Sequence, residues 1–231
     1  MMGDIHEYNK KDLLMKSLAV EVTNDLTSIL RKKRVATLVV PGGTTPKPFF
    51  KQLSQSDLDW ARVTIIPSDD RFVPEKNVLS NSGLIRTYLL QNFASQANFI
   101  SFFKSDYSLE ELTNVISEEL KTILPIDVAV LGMGVDMHTA SIFPDADKLN
   151  DALDLMSPNV LISVNSPSVA ESRLTLTAKT LRDSYKVHLL ITGSEKKAAL
   201  EFALKSKDNW EIAPVRSVLS KDGIVKIHYS H

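Results

Sequence analysis

The stretch Ile126-Asp127-Val128-Ala129-Val130-Leu131-Gly132-Met133-Gly134 decides the fold class. Five of its first six side chains are apolar, and two glycines follow closely. A short apolar run that ends in a glycine-containing turn is typical of a strand buried on both faces, as in a parallel sheet that helices cover. Runs of the same kind recur at residues 36–40, 63–67, 160–164 and 187–192. The sequence therefore predicts a buried, mostly parallel sheet.

Segments with helical periodicity separate these runs. Apolar residues recur at intervals of three and four between residues 12 and 31, as on one face of an amphipathic helix. Alternating strands and helices predict an α/β fold, with a doubly wound sheet and helices on both of its faces. The further helices are expected at residues 45–53, 80–92, 109–124 and 194–206.

No linker, repeat or low-complexity tract divides the chain. We therefore expect a single domain over residues 1–231. Residues 173–177 and 224–229 alternate polar with apolar side chains, a pattern that predicts half-exposed strands at the margin of the sheet.

Composition excludes several classes of function. The chain has 231 residues with 27 basic and 28 acidic side chains, so no overall field would attract nucleic acid or an anionic membrane. It has no cysteine, which removes disulfides and thiolate chemistry and fits a reducing compartment. The polar amino-terminal residues do not resemble a secretory signal, and no apolar run is long enough to span a bilayer. We expect a soluble, cytoplasmic protein without nucleic-acid or membrane partners.

The loop after the apolar run at residues 36–40 is a candidate anion site. In open α/β sheets, ligands bind beyond the carboxyl ends of the strands. Residues 41–46 read Pro41-Gly42-Gly43-Thr44-Thr45-Pro46, and glycines let backbone N–H groups approach a ligand closely. Thr44 or Thr45 is expected to cap the next helix. The alternative is an ordinary turn between a strand and a helix.

The loop after the second run carries three adjacent charges, Asp69-Asp70-Arg71. An arginine presents a planar fork to phosphate or carboxylate, and an aspartate beside it can orient the arginine or accept sugar hydroxyls. Exposed loop charges are the alternative interpretation.

The loop after Leu131 holds Asp136 and His138, two positions apart. Imidazole is the usual general base near neutral pH, and a carboxylate can fix its tautomer and stabilise its charged form. Residues 139–141 are expected to begin a short helix that ends at Pro144. A structural histidine is the alternative.

Two basic residues complete the candidate site. Arg173 lies in one of the alternating segments, and Lys196 begins a helix just beyond a strand, where it can point into the same crevice. Lys197 is expected to face elsewhere. Each of these cations could instead be a solvated surface charge.

Taken in order, these motifs resemble the glucosamine-6-phosphate isomerase/6-phosphogluconolactonase family. The likeness extends over nearly the whole chain and implies a Rossmann-like fold without a metal or organic cofactor. It further implies hydrolysis of a small phosphorylated sugar lactone, 6-phospho-D-glucono-1,5-lactone, in the oxidative pentose phosphate pathway, by a monomer. The motifs that carry it are residues 41–46, 69–74, 132–141, 173–177, 193–196 and 213–219.

The resemblance also implies roles for residues. It makes His138 the general base, with Asp136 beside it, and places Asp69 and Arg71 at the sugar end of the substrate. The phosphate would be held by Gly42, Gly43, Thr44, Thr45, Arg173 and Lys196.

Three positions depart from the family pattern. Met137 stands where glycine is common and would resist a positive φ. Asp70 replaces a glutamate, and Thr44 replaces a serine.

Two other functions stay open. A glucosamine-6-phosphate deaminase or isomerase would share the fold and the phosphate site. However, residues 139–143 read Thr139-Ala140-Ser141-Ile142-Phe143 and lack the asparagine and glutamate that typically follow the histidine in that branch. A non-catalytic sugar-phosphate sensor is disfavoured because both Asp136 and His138 are present.

Overall fold

A computed structural model describes residues 4–206, 209–220 and 225–231. Strands and helices alternate along most of this chain, with short 3₁₀ turns at Trp60–Arg62 and Asn92–Gln96. The elements are β1 Asp4–Tyr8, α1 Lys11–Leu30, β2 Ala36–Val40, α2 Lys47–Leu53, β3 Val63–Pro67, β4 Asp69–Arg71, α3 Asn81–Tyr88, β5 Asn98–Phe99, α4 Leu109–Lys121, β6 Val128–Gly132, α5 Leu149–Leu153, β7 Leu161–Val164, β8 Arg173–Leu176, α6 Ala178–Arg182, β9 Lys186–Thr192, α7 Ser194–Lys205, α8 Arg216–Leu219 and β10 Val225–Ser230.

Seven strands form the central sheet, in the order β1-β10-β9-β6-β2-β3-β5. Every neighbouring pair in it is parallel. Parallel strands need crossover connections, and helices in those connections cover the two faces of the sheet. The prediction of a doubly wound parallel α/β sheet is confirmed.

Alternate side chains of the central strands β2, β3 and β6 enter two different hydrophobic cores. Leu38 and Val40 of β2 pack with α1, α2 and α3 on one face, whereas Val39 packs on the other face, which α4, α6, α7 and α8 cover. Burying a leucine or valine side chain contributes roughly 1.5–3 kcal/mol. Because both faces are buried, these strands are mostly apolar in sequence, which is why they could be predicted.

A second sheet is antiparallel, in the order β4-β8-β7. The prediction that residues 160–164 belong to the parallel sheet was therefore wrong. The half-exposed strand predicted at residues 173–177 was wrong as well, because every residue of β8 is buried. Its polar side chains are buried as well: Arg173 is 7% exposed, and the Thr175 hydroxyl accepts a hydrogen bond from Ser141 N–H at 3.1 Å.

The other alternating segment, residues 224–229, begins outside the described residues at position 224. Its described part lies in β10, between β1 and β9 and almost fully buried, so the predicted half-exposed margin strand was wrong here too.

The described helices include none that is long and apolar enough to cross a membrane.

A hydrogen-bonded chain of polar side chains joins β10 to α1. His228 Nδ1 lies 3.2 Å from the Tyr8 hydroxyl, and His228 Nε2 lies 3.0 Å from His188 Nδ1. His188 Nε2 in turn lies 3.0 Å from Asp25 Oδ2. Each group can donate to the next, from tyrosine to aspartate, so this buried network is fully satisfied.

The imidazole of His228 makes stability sensitive to acid. Burial, and to a lesser degree the neighbouring His188, lowers the pKa of His228 to about 3. Imidazole in an unfolded chain titrates near ~6.5. The unfolded state therefore binds a proton first, and the free energy of unfolding falls as pH drops from about 6.5 towards 3, by up to about 1.4 kcal/mol per pH unit for this group.

Urea unfolding between about pH 7 and pH 5 measures this slope. A His228→Asn variant is expected to show a flatter pH dependence than the unsubstituted chain. An unchanged slope would show that His228 is not the group responsible.

Candidate active site

A cavity of about 300 Å³ lies beyond the carboxyl ends of β2, β3, β6 and β9. From β2 the chain proceeds to β3 on one side, and from β6 it proceeds to β9 on the other. Such a reversal of direction is where open α/β sheets bind ligands. The cavity brings together all of the predicted site residues except Asp136, namely Gly42, Gly43, Thr44, Thr45, Asp69, Arg71, His138, Arg173 and Lys196.

Asp136 forms a hydrogen bond with the imidazole of His138. Nδ1 of His138 lies 2.6 Å from Oδ1 of Asp136. Desolvation by burial opposes ionisation of Asp136, but the hydrogen bond from His138 and its charge outweigh that effect, so the pKa of Asp136 is lowered. An ionised carboxylate only accepts hydrogen bonds, which assigns the Nδ1 proton to His138. Nε2 is then the atom that can take a proton.

A tight backbone turn aligns this pair. Gly134 N–H donates to the carbonyl of His138 at 3.0 Å, and Met137 N–H donates to the carbonyl of Gly134 at 3.1 Å. A Cβ at Gly134 would overlap the Asp136 carboxylate and the His138 ring. Met137 does adopt a positive φ, 64°, although its Cβ disfavours that conformation.

The helix predicted to begin at residues 139–141 is absent from this described segment. Ala140 has a φ of 51°, and Thr139 forms an isolated bridge with Ile142. Side-chain bonds hold this loop instead: the Thr139 hydroxyl donates to the carbonyl of Gly132 at 2.9 Å, and the Ser141 hydroxyl donates to Asp69 at 2.5 Å.

The two adjacent aspartates have separate surroundings. Asp69 lines the cavity. Asp70 is fully buried and accepts backbone N–H groups of Arg71, Asn81 and Ser82 at 2.7–2.8 Å. Burial is the main reason why the pKa of Asp70 is raised. Asp70 therefore anchors the start of α3, and its shorter side chain does not reach the cavity.

Three cations line the cavity without an ion-pair partner among the described residues: Arg71, Arg173 and Lys196. Burial, and then repulsion by Arg71, lowers the pKa of Arg173. Burial also lowers the pKa of Lys196, although Asp136 opposes this shift. Burying a charge without a partner costs several kcal/mol. An anionic ligand would offset that cost, so the arrangement is suited to binding a phosphate.

Lys197 points away from the cavity, as expected. Its ammonium lies 3.2 Å from Glu7 Oε1 and over the ring of Tyr229, 4.8 Å from the centroid.

The loop at residues 41–46, here called the glycine loop, takes its shape from its own backbone conformation and not from a helix cap. Gly43 has a φ of 84°, which suits glycine alone. The helix cap predicted at Thr44 or Thr45 was wrong: α2 begins at Lys47 after Pro46, with no side-chain cap bond. Both threonines line the cavity instead.

Known proteins resemble this chain over nearly its whole length. Residues 9–227 match the family described as "Glucosamine-6-phosphate isomerases/6-phosphogluconolactonase". The chain belongs to this family. It is 37% identical to the 6-phosphogluconolactonase of Rhizobium meliloti over 96% of this chain and 95% of that protein. It is 41% identical to that of Pseudomonas aeruginosa over 88% and 86% of the two chains. The crystal structure of a 6-phosphogluconolactonase from Shewanella baltica superposes with a TM-score of 0.95 at 30% identity, over 100% of both chains.

Some residues of this family member's cavity were not predicted. Ser68 and Asn81 contribute polar side chains. Next to the lining residues, the centroid of the Phe143 ring lies 4.5 Å from that of the His138 ring and 5.2 Å from Cζ of Arg173. Ser68 directly precedes the predicted charge cluster, a signal that could have found it. Asn81 reaches the cavity only because α3 packs beside β4.

The conformation of Met137 predicts a difference between two substitutions. Met137→Val is expected to lower the free energy of unfolding by about 1–3 kcal/mol, because a β-branched residue is strained at positive φ. Met137→Gly is expected to change it by less than about 1 kcal/mol, since relief of strain offsets the added chain entropy. Urea denaturation measures both. Met156→Val, at an exposed position, is the matched control, and equal losses for both valine variants would contradict the prediction.

Proposed function

We propose that this chain hydrolyses 6-phospho-D-glucono-1,5-lactone to 6-phospho-D-gluconate, with His138 as the general base. The observation that carries the proposal is the hydrogen-bonded His138–Asp136 pair, 2.6 Å apart, beside a cavity that also holds three cations without ion-pair partners in the described chain. Relatives named 6-phosphogluconolactonase share up to 41% of their residues with it. The pair supplies a base, and two of the cations, Arg173 and Lys196, supply a site for the phosphate.

The proposed binding mode follows the resemblance to the family. Arg173 and Lys196 hold the phosphate together with the hydroxyls of Thr44 and Thr45 and the amides of the glycine loop. Asp69 and Arg71 contact the sugar end. This arrangement leaves the lactone carbonyl within reach of a water molecule at His138.

The proposed reaction needs one base and one water molecule. His138 Nε2 takes a proton from water as the water oxygen bonds to the lactone carbonyl carbon, which forms a tetrahedral intermediate. The intermediate collapses by breaking the bond to the ring oxygen, and His138 returns the proton to that oxygen. Asp136 keeps the imidazole in the correct tautomer and stabilises its charged form. Orienting an already reactive ester beside a base can supply the acceleration without a covalent intermediate.

The hydroxyls of the serines that surround Asp69 support water as the nucleophile. Ser68 and Ser141 both donate to Asp69, at 2.7 Å and 2.5 Å. Within the described residues, no serine or threonine hydroxyl forms a hydrogen bond with the His138 ring. A serine nucleophile would need such a contact to lose its proton.

A paired assay on one preparation tests the proposed function. Freshly made 6-phosphogluconolactone should disappear faster than it does spontaneously, and glucosamine 6-phosphate should release no ammonia. Ammonia release would favour a deaminase. Binding of 6-phosphogluconate without acceleration would favour a sugar-phosphate sensor.

The proposal extends to the setting of the reaction. We assign residues 1–231 to one sugar-phosphate-binding domain that acts as a cytoplasmic monomer in the oxidative pentose phosphate pathway. Light scattering during size-exclusion chromatography tests the oligomeric state.

A further inference from the structure

Asn81 lies beside the cavity where the start of α3 meets β4 and the glycine loop. It is the first residue of α3, it is 2% exposed, and it lines the cavity. Its backbone N–H donates to Oδ1 of Asp70 at 2.7 Å, and the same carboxylate oxygen accepts the backbone N–H of Arg71 at 2.8 Å. Asp70 therefore fixes the backbones of Asn81 and Arg71 relative to each other.

The side-chain amide of Asn81 has a different partner at each end. Nδ2 donates to the backbone carbonyl of Asp69 at 2.8 Å, and Oδ1 accepts from Nη1 of Arg71 at 2.7 Å. Turning the amide over would set oxygen against oxygen and N–H against N–H. Its orientation is thus determined, and one corner of the Arg71 guanidinium is fixed with it.

The rest of the Arg71 guanidinium is left for other partners. Nη1 also donates to the carbonyl of Leu79 at 3.1 Å, while Nε is buried without a hydrogen-bond partner. Arg71 forms no ion pair within the described chain. The neutral amide of Asn81 thus orients the arginine without neutralising the charge that an anionic ligand would meet.

The Asn81 amide also lies close to the backbone of the glycine loop at Gly42. A Cβ built at Gly42 would overlap the Asn81 amide. The loop that supplies backbone amides to the cavity can therefore lie this close to α3 only while position 42 is glycine.

We propose that Asn81 is a positioning residue, which sets the Arg71 guanidinium and the Gly42 backbone in one arrangement for a phosphorylated sugar acid or its lactone. This role rests on the proposed function for the identity of the ligand. It is distinct from the base and from the phosphate-binding cations, because Asn81 acts through Arg71 and Gly42.

A double-mutant cycle tests the link to Arg71. The probe is 6-phosphogluconate binding by calorimetry, together with KM and kcat for the lactone. Asn81→Ala is expected to weaken binding and raise KM about 10-fold, the loss of one hydrogen bond to a charged group, with a smaller change in kcat. Arg71→Ala should weaken binding at least as much, and the loss in the double variant should be smaller than the sum of the two single losses. Additive losses would overturn the proposal.

A second cycle tests the link to Gly42. Gly42→Ala alone is expected to weaken binding about 10-fold or more, because the new methyl group displaces the amide. In an Asn81→Ala background the same substitution should cost little further, since the obstructing amide is gone. Equal losses in both backgrounds would overturn this part of the proposal.

Controls separate positioning from folding and from the proposed function. Asn98→Ala removes an exposed amide whose partner is the carbonyl of Ala61 at 3.1 Å, and it should leave binding and turnover unchanged. If Asn81→Ala does not fold, as judged by circular dichroism, Asn81→Ser replaces it in both cycles. A chain that binds 6-phosphogluconate but does not accelerate lactone loss would refute the proposed function and leave both binding cycles interpretable.

Discussion

Replacement of His138 by alanine is expected to lower kcat for 6-phospho-D-glucono-1,5-lactone by about 10²- to 10⁴-fold, the usual contribution of a positioned general base. Within the described chain, His138 forms no hydrogen bond with a residue proposed to hold the phosphate, so binding of 6-phosphogluconate should be weakened by only a few-fold. Continuous detection of product, corrected for spontaneous hydrolysis, measures the rate, and calorimetry measures the binding.

His231→Ala is the matched control, because it removes an exposed imidazole at the carboxyl terminus and should leave kcat unchanged. If the His138 variant retains a rate close to that of the unsubstituted chain, water activation must come from another group. If it loses binding and turnover equally, His138 has a role in holding the ligand.

Replacement of Lys196 by alanine is expected to raise KM for the phosphorylated lactone about 10- to 100-fold, the loss of a charge-assisted contact with phosphate. The same variant should hydrolyse unphosphorylated glucono-1,5-lactone about as well as the unsubstituted chain, because that substrate never used the contact. The ratio of kcat/KM for the two lactones isolates the phosphate contribution.

Lys197→Ala provides a control with the same chemical change one position away. Its ammonium pairs with Glu7 outside the cavity, so KM should be unaffected. Similar increases in KM for the two lysine variants would indicate a general effect of net charge. A loss of activity on both lactones in Lys196→Ala would indicate that Lys196 acts on the reacting group.

The main sheet could be predicted because its strands are buried on both faces. Residues 36–40 and 63–67 are apolar runs with one threonine each, and the structure places them in β2 and β3 with those bounds. β1 was not predicted. It is a largely exposed edge strand, and its partner β10 lies more than 200 residues away along the chain, so no local pattern signals it.

The small antiparallel sheet shows how a functional surface can mislead a pattern. Polar and apolar residues alternate in β8 as in a strand that faces water. Yet Arg173 turns into the cavity, and Thr175 accepts a hydrogen bond from the loop that follows His138. A strand whose polar side chains line a ligand site shows the same alternation of polar and apolar residues as a strand whose polar side chains face solvent. Only the tertiary structure separates them.

The residues of the candidate site could be predicted from their positions directly after the apolar runs, more than from their residue types. Residues just beyond the apolar runs converge because parallel strands end at one edge of the sheet. Asn81 escaped prediction because its contacts with Arg71 and Gly42 depend on how α3 packs. Met137 shows a different limit, since its backbone conformation is held by the bonds of Gly134 and overrides the local preference of the side chain.

The central claim is that water activated by His138 attacks the carbonyl carbon of a phosphorylated lactone. Hydrolysis in ¹⁸O-labelled water, with protein in excess over fresh 6-phospho-D-glucono-1,5-lactone, tests it most directly. The account predicts 6-phosphogluconate formed faster than in the absence of protein, with one ¹⁸O atom in the carboxylate from the first turnover. No acceleration would contradict the proposed activity. Accelerated formation of unlabelled product would contradict direct attack by water and indicate transfer of oxygen from an enzyme carboxylate.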